Sequence, residues 1–390
     1  MKYNIKYYIT HVTHKDLKNS IDGYNTCMEK ILDIYTDYLH TTFGNATATG
    51  LSQLLDGTVS HDRITRMLSG SQKTSKDLWL NVKPLVRKHE NDNACLIFDD
   101  SIIEKQYTDS SELICWHWDH CKGKNIKGIN LLSAFYYTES IDAKLPLRVP
   151  IDYKCISKPI LYSDLKTRKE KRKSEITKNE LMRNMIQDSL NKQLKFKYIL
   201  ADSWFSSTEN IEFINKRRKY FIFDIKQNRL AALNQIDKRK GNWGNISELD
   251  IPNETPVKLL LKGCSIELLL IKQVFTNKDD SQGVRYLISN DLNLSSDDFK
   301  TIYKKRWSVE EYHKSLKQNN AVGKSPTRTI ITQTNHLFAS MLSYVKLEKY
   351  KLTFNLNHFA VRGKLYAKAL KSAFEELKIM KDKLAQLYRA

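Results

Sequence analysis

ACLIFDDS, residues 94–101, is a short apolar run that ends in two aspartates. A run of this length followed by polar residues predicts a buried strand. Further elements are predicted downstream: strands at 128–138 and 145–156, a helix in the second half of 166–193, a strand at 196–202, a helix at 207–218 and a strand at 219–226. This order predicts an α/β fold with an RNase H-like mixed sheet as its core.

The rest of the chain divides around this core. Residues 230–292 hold several strand-like runs that do not fit the order, and they predict a β-rich subdomain inserted into the core. The predicted segments are an N-terminal helical DNA-binding domain at 1–90, the first part of the core at 91–229, the insertion at 230–292, the second part of the core at 293–350 and a C-terminal helical segment at 351–390. Residues 51–68 predict two short helices around a turn, which suits a DNA-binding helix-turn-helix and an ordinary helical subdomain equally.

The charge balance indicates a polyanionic partner. The chain has 64 Lys and Arg against 44 Asp and Glu, a formal net charge of +20. Basic residues that neutralise phosphates release condensed counterions, so nucleic acid is the first expectation and an anionic membrane the second. The N-terminus is polar, and no apolar run reaches the ~18 residues of a spanning helix. We therefore expect a cytoplasmic protein with no membrane partner, and reduced thiols at its six scattered cysteines.

Three carboxylates stand where metal-dependent phosphoryl transfer needs them. Asp100 in FDDS and Asp202 in LADS end strands that are predicted to be neighbours, and Glu310 lies on a long helix predicted at 296–318. An isolated Asp at a strand end is usually a cap or turn residue. Carboxylates gathered at one end of a sheet repel one another, however, unless cations bind there. Because Mg²⁺ prefers oxygen ligands, the conjunction predicts a divalent-metal site.

The late predicted helix carries a polar stripe. At about 100° per residue, four side chains fall within about 60° of one another: Tyr303, Arg306, Glu310 and Lys317. Glu311 falls outside the stripe, where we expect it to meet solvent or a neighbouring lysine. A solvated helix with incidental i,i+4 ion pairs explains such a stripe equally well.

The spacing of these four residues resembles the Y-(2)-R-(3)-E-(6)-K signature of insertion-sequence transposases of the DDE superfamily, in the branch that includes the fourth insertion-sequence family. FDDS, LADSWFS and the β-rich insertion between the second aspartate and the glutamate add to the resemblance. It implies an enzyme that binds the terminal inverted repeats of its mobile element, cuts them through a hairpin and joins them to target DNA. It also implies a homodimer in the DNA complex and a prokaryotic host in which the protein is associated with the nucleoid.

Site residues follow from the same resemblance. Asp100, Asp202 and Glu310 would be catalytic and would hold two Mg²⁺ ions, with Mn²⁺ as a substitute. The roles implied for the other signature positions are contacts with phosphates near the cleaved end, by Tyr303, Arg306 and Lys317.

The first metal-binding aspartate is ambiguous. The aspartate of the family is usually followed by Thr or Ser, which selects Asp100 before Ser101. Asp99 is adjacent, and a continuous apolar strand has no alternation that would decide which carboxylate points at the metals.

Other motifs are weaker. Residues 115–123 hold Cys115, His117, His120 and Cys121, but ligands spaced so closely can hardly surround one tetrahedral zinc ion, and a turn before the second strand is favoured. The basic run 166–173 predicts the start of a solvated helix that tracks a DNA backbone. Three tryptophans could stack on a base flipped out of the DNA: Trp204, Trp243 and Trp307.

Two rival functions are consistent with the same residues. An RNase H-fold nuclease would hydrolyse DNA without joining it to a target. A non-catalytic DNA-binding protein descended from a transposase would keep the fold, but the three carboxylates argue against it.

Overall fold

The computed structural model describes residues 24–119, 122–139, 145–165, 168–277 and 279–387. These form two compact units. We call them the sheet unit, with residues 75–314 and 352–355, and the helical unit, with the described residues up to 74, 315–351 and those from 356 on. The part of the predicted N-terminal helical domain before residue 24 lies outside the described part of the chain.

The elements are numbered along the chain. The helices are α1 (Tyr24–Thr41), α2 (Ala48–Leu54), α3 (His61–Ser69), α4 (Ser75–His89), α5 (Lys178–Asn191), α6 (Thr208–Lys216), α7 (Gln235–Lys240), α8 (Ser296–Lys304), α9 (Trp307–Asn319), α10 (Ile330–Phe354) and α11 (His358–Leu387). The strands are β1 (Cys95–Glu104), β2 (Cys115–Asp119), β3 (Lys124–Thr138), β4 (Leu147–Cys155), β5 (Ile160–Ser163), β6 (Glu170–Lys173), β7 (Tyr198–Ala201), β8 (Tyr220–Asp224), β9 (Leu230–Ala232), β10 (Gly244–Asn245), β11 (Val257–Leu261), β12 (Glu267–Thr276) and β13 (Gln282–Ser289).

The sheet unit is built on a mixed sheet. β1 pairs antiparallel with β3 and parallel with β7, and β7 pairs parallel with β8. β2 and β4 both pair antiparallel with β3. Antiparallel neighbours need only a turn between them, whereas the parallel neighbours are reached through the crossover helices α5 and α6. This large mixed sheet with helices fits the predicted RNase H-like fold.

The predicted insertion continues this sheet. Residues 230–292 supply β9 to β13, and β13 pairs antiparallel with β8, so that an eleven-stranded sheet is formed within the described residues. The β-rich character follows from the apolar runs in the sequence. The attachment to β8 does not, because the free edge of a strand is a tertiary feature.

Helix α4 belongs to the sheet unit, although the sequence grouped residues up to 90 with the N-terminal helices. It presents Leu78, Trp79, Val82 and Val86 as buried residues and packs on β4. A helical pattern reveals the apolar face of α4 but not which layer covers that face.

The long helix predicted at 296–318 is broken. α8 ends at Lys304 and α9 begins at Trp307. Between them the backbone N–H of Arg306 donates to the carbonyl of Tyr303 at 2.9 Å, an i to i+3 bond that tightens the turn. The single straight helix on which Tyr303 and Glu310 were predicted to share a face is therefore wrong, because these residues lie on two helices.

Two further expectations about local structure are also wrong. Residues 170–173, predicted as the start of a helix, form β6 and pair with β5. Residues 115–119, predicted within a turn, form β2. Both strands are short, and pairing with a neighbour decides their conformation.

The helical unit has its own core. α2 and α3 form the predicted pair of short helices, with Ser60 accepting a hydrogen bond from Arg63 as the N-cap of α3. Buried residues of α1, α2 and α3 pack together, including Tyr35, Leu51 and Ile64. The buried hydroxyl of Tyr35 lies 2.8 Å from Nδ1 of His336 on α10, which satisfies both polar groups.

Candidate active site

The two aspartates of β1 face opposite sides of the sheet, because successive side chains of a strand alternate. Asp99 faces α9, where a carboxylate oxygen of Glu310, a ring nitrogen of His313 and a carboxylate oxygen of Asp99 all lie within 4.8 Å of one another. Nδ1 of His313 is 3.6 Å from Oδ2 of Asp99. Asp100 instead accepts a hydrogen bond at 2.8 Å from Lys178, at the start of α5.

Asp202 directly follows β7, the parallel neighbour of β1. Its Oδ1 accepts a hydrogen bond at 3.0 Å from the backbone N–H of Trp204, so this carboxylate also caps a short 3₁₀-helix. Burial raises the pKa of Asp202, opposed by the Trp204 N–H and by the charge of Arg306, while the charge of Asp100 raises it further. The β1 and β7 carboxylates therefore lie within electrostatic reach of each other.

Asp99 is repelled by the charges of three other carboxylates. Its pKa lies well above the usual range, first because it is buried and then because Glu310, Asp202 and Asp100 carry like charges nearby. Arg306 is the cation that opposes this effect. Partly buried carboxylates that repel one another are stabilised by a bound cation.

Asp224 is a further acidic residue that the sequence analysis did not single out. It ends β8, the next parallel strand after β7, and burial followed by the charge of Asp202 raises its pKa to about 6, against the opposing charge of Arg285. The signal was available, because KYFIFD ends in an aspartate just as KYILAD does. Lys178, which pairs with Asp100, was also not identified, since its partner is remote in sequence.

A family model described as DDE superfamily endonuclease matches residues 25–240, more than half of the chain. The chain belongs to this family. A second model, described as Transposase DDE domain, matches residues 171–346. A comparison with curated proteins found no match. The protein is therefore a DDE enzyme, a metal-dependent nuclease or transposase that acts on DNA.

Divalent metals are the cofactors of DDE enzymes, and the residues here fit them. Asp99, Asp202 and Glu310 provide oxygen donors, which hard divalent cations prefer, and His313 adds a nitrogen donor. The raised pKa of Asp99 is the observation that tests this fit, because a cation would remove the repulsion that causes it. Within the described residues, the ligand atoms of Asp99, Glu310 and His313 lie close enough to one another to share an ion.

The signature residues of this DDE enzyme have different surroundings. Tyr303 is buried, with its hydroxyl 3.4 Å from the carbonyl of Ala201. The two terminal nitrogens of Arg306 both lie 3.4 Å from Oε1 of Glu310. Glu311 is 49% exposed, and its ion pair is with Arg148 of β4 rather than with a neighbouring lysine. Lys317 lies near the end of α9, among residues of the helical unit.

The remaining candidate motifs are placed as follows. Sγ of Cys115 lies 3.4 Å from Nε2 of His117 on β2, and the other two residues of the cluster, His120 and Cys121, lie outside the described residues. Trp204 and Trp307 are exposed at 49% and 61%. The Nζ of Lys178 lies 4.7 Å from the ring centre of Trp204, so a cation already covers one tryptophan near the carboxylates.

No described helix is long and apolar enough to cross a membrane.

Proposed function

We propose that this DDE enzyme is a transposase that binds the ends of its own mobile element, cuts them and joins them to target DNA. The observation that carries the proposal is that Asp99 of β1 lies close to Glu310 of α9 and within reach of the charge of Asp202, which follows β7. A net charge of +20 supports a polyanionic partner such as DNA. The match to a transposase domain over residues 171–346 favours transposition over other DNA cleavage.

The metal ligands in this proposal are Asp202, Glu310 and one aspartate of β1. Two observations support Asp99 over Asp100: Asp99 shares the face of Glu310, and Asp100 is occupied by Lys178. Two Mg²⁺ ions held here would activate water or a 3′-hydroxyl and stabilise the leaving oxygen. Arg306 balances the charge of the carboxylates and is close enough to bind a phosphate beside them.

The remaining signature residues have narrower roles in the proposal. The ring centre of Tyr303 lies 5.8 Å from the guanidinium carbon of Arg306, so the ring holds that group in place. The hydroxyl of Tyr303 must leave the carbonyl of Ala201 before it can make the predicted contact with a phosphate. Lys317 contacts DNA as a point charge. The pair α2 and α3 binds the terminal repeats.

The proposal is tested with DNA that carries the inverted repeats flanking the gene. We expect cleavage at the repeat ends with Mg²⁺ or Mn²⁺, none with a chelator, hairpin ends as intermediates, and joined products when a target plasmid is added. Cleavage without hairpins or joined products would favour a nuclease that only hydrolyses. Binding without cleavage in either metal would favour a DNA-binding protein and overturn the proposal.

The active form is proposed to be a homodimer held by α11. Beyond residue 368 this helix is exposed all round, yet apolar residues recur at alternating spacings of three and four: Leu370, Ala373, Leu377, Met380, Leu384 and Leu387. This is the seam of a coiled coil. In a parallel pair, Glu376 and Lys381 of the second copy occupy facing flanking positions, so their charges are complementary.

We expect the variant Leu377→Glu/Leu384→Glu to lose dimers, because buried glutamates in the seam are not compensated. The matched control Lys371→Glu/Lys378→Glu introduces the same residues on the opposite side of α11. Sedimentation velocity with and without end-bearing DNA measures the assembly. Dimers of the seam variant as stable as those of the control would contradict the role of α11.

A further inference from the structure

β5 and β6 form a two-stranded ribbon of their own, separate from the large sheet. All four residues of β5 are exposed, including Leu161 and Tyr162, and three of the four residues of β6 are exposed as well. An isolated two-stranded ribbon is only marginally stable in water. Exposed apolar and aromatic residues on such a ribbon are therefore suited to a partner.

The two faces of the ribbon carry different residues. Leu161 pairs with Arg172, whose Nη1 lies 3.5 Å from the carbonyl of Lys158 at the base of the ribbon. Paired residues of a sheet share a face, so the opposite face carries Tyr162 with Lys171, and Lys173 two residues further on. Ile160 pairs with Lys173 on this face, and Nζ of Lys173 lies 5.9 Å from the centre of the Tyr162 ring. Lys171 is ion-paired with Asp164, a pair that a DNA phosphate would have to replace. This face is basic with one aromatic ring.

The ribbon also has the charge that DNA requires. Residues 158–173 include seven lysines and arginines and two acidic residues. A ribbon of two strands is narrow enough to enter the major groove of duplex DNA, which is about 12 Å wide. A basic face on an element of that width complements the phosphates that border the groove.

The ribbon lies close to the carboxylates. Lys178, which binds Asp100 at 2.8 Å, comes five positions after Lys173, the end of β6. Five steps along the chain span at most about 18 Å. At the other end of the ribbon, Nζ of Lys158 donates to the carbonyl of Trp116 on β2 at 3.0 Å. The base of the ribbon is thereby fixed to the sheet beside the site.

We infer that the β5–β6 ribbon is a DNA-binding arm that inserts into the major groove of the duplex next to the cleaved phosphate. The inference rests on the proposed function, because the carboxylate site sets where the duplex lies. Lys171 and Lys173 bind the phosphates on the rims of the groove, and Tyr162 lies toward the bases. The ribbon supplies affinity and register, while the chemistry stays with the carboxylates.

The arm is tested by binding rather than by cleavage, so that its failure is distinct from failure of the proposed function. Binding of the full-length protein to end-bearing duplex is measured against salt concentration without divalent metal. For Lys171→Ala/Lys173→Ala we expect weaker binding and a slope of log affinity on log salt reduced by about 2, one unit for each lost phosphate contact. The control Lys76→Ala/Lys83→Ala removes two exposed lysines from α4 instead.

Insertion of the ribbon into the major groove is tested by methylation of guanine N7, which faces that groove. We expect the wild-type protein to protect guanines beside the cleavage site from methylation. In the triple variant Tyr162→Ala/Lys171→Ala/Lys173→Ala the same guanines should be methylated as in free DNA. An unchanged salt slope, an equal loss in the control, or protection that persists in the ribbon variant would each overturn the inference.

Discussion

Glu310→Gln is expected to reduce metal-dependent DNA cleavage by more than about 100-fold, because loss of a residue that merely orients a metal ligand already costs about 10- to 100-fold. The amide keeps the shape of the side chain but removes the charge that holds a cation. DNA binding without metal should remain near that of the wild type, since Gln adds no repulsion toward phosphates. Single-turnover cleavage and a binding assay on the same end-bearing DNA separate the two effects.

The control is the neighbouring substitution Glu311→Gln. Glu311 is ion-paired with Arg148 on β4 and is 49% exposed, so its loss costs at most about 1 kcal/mol of stability, as for other surface pairs. We expect its cleavage rate to stay within a few-fold of the wild type. An active Glu310→Gln protein, or an inactive Glu311→Gln protein that is folded and binds DNA, would refute the assignment of Glu310.

The second large effect distinguishes the two aspartates of β1. Asp99→Asn is expected to abolish cleavage to the same extent as Glu310→Gln, because Asp99 shares a face and a possible ion with Glu310 and His313. Asp100→Asn should keep measurable activity, since its carboxylate is bound to Lys178 on the other face. Cleavage assays with Mg²⁺ and with Mn²⁺ on both proteins give the comparison.

Thermal unfolding provides an independent readout. The pKa of Asp99 is raised in the folded protein, so at neutral pH its ionised form opposes folding, and Asp99→Asn should raise Tm when no metal is present. Wild-type protein should gain stability with added Mg²⁺, and the variant should gain less. If Asp100→Asn shows this pattern and Asp99→Asn does not, Asp100 is the metal ligand, in agreement with the family pattern of Ser or Thr after the aspartate.

The sequence was informative about the core because the core depends on local patterns. The apolar runs at 94–98, 128–138 and 219–224 are each a strand in the structure, and their order leads to the mixed sheet. Asp202 and Glu310 were identified from their positions after a buried strand and on a late helix. Asp224 had a similar position but no signature around it, so it was not selected.

The sequence by itself determined the fold class, the basic charge and the carboxylates available to a DDE site, since periodicity and composition are properties of single segments. Tertiary structure alone decided which carboxylates meet. Asp99 and Asp100 are adjacent in the chain, and only the packing of α9 on one face of β1 and α5 on the other gives them different partners. The same holds for the attachment of β13 to β8 and for the pairing of β5 with β6, because a pairing partner is chosen by the geometry of the whole sheet.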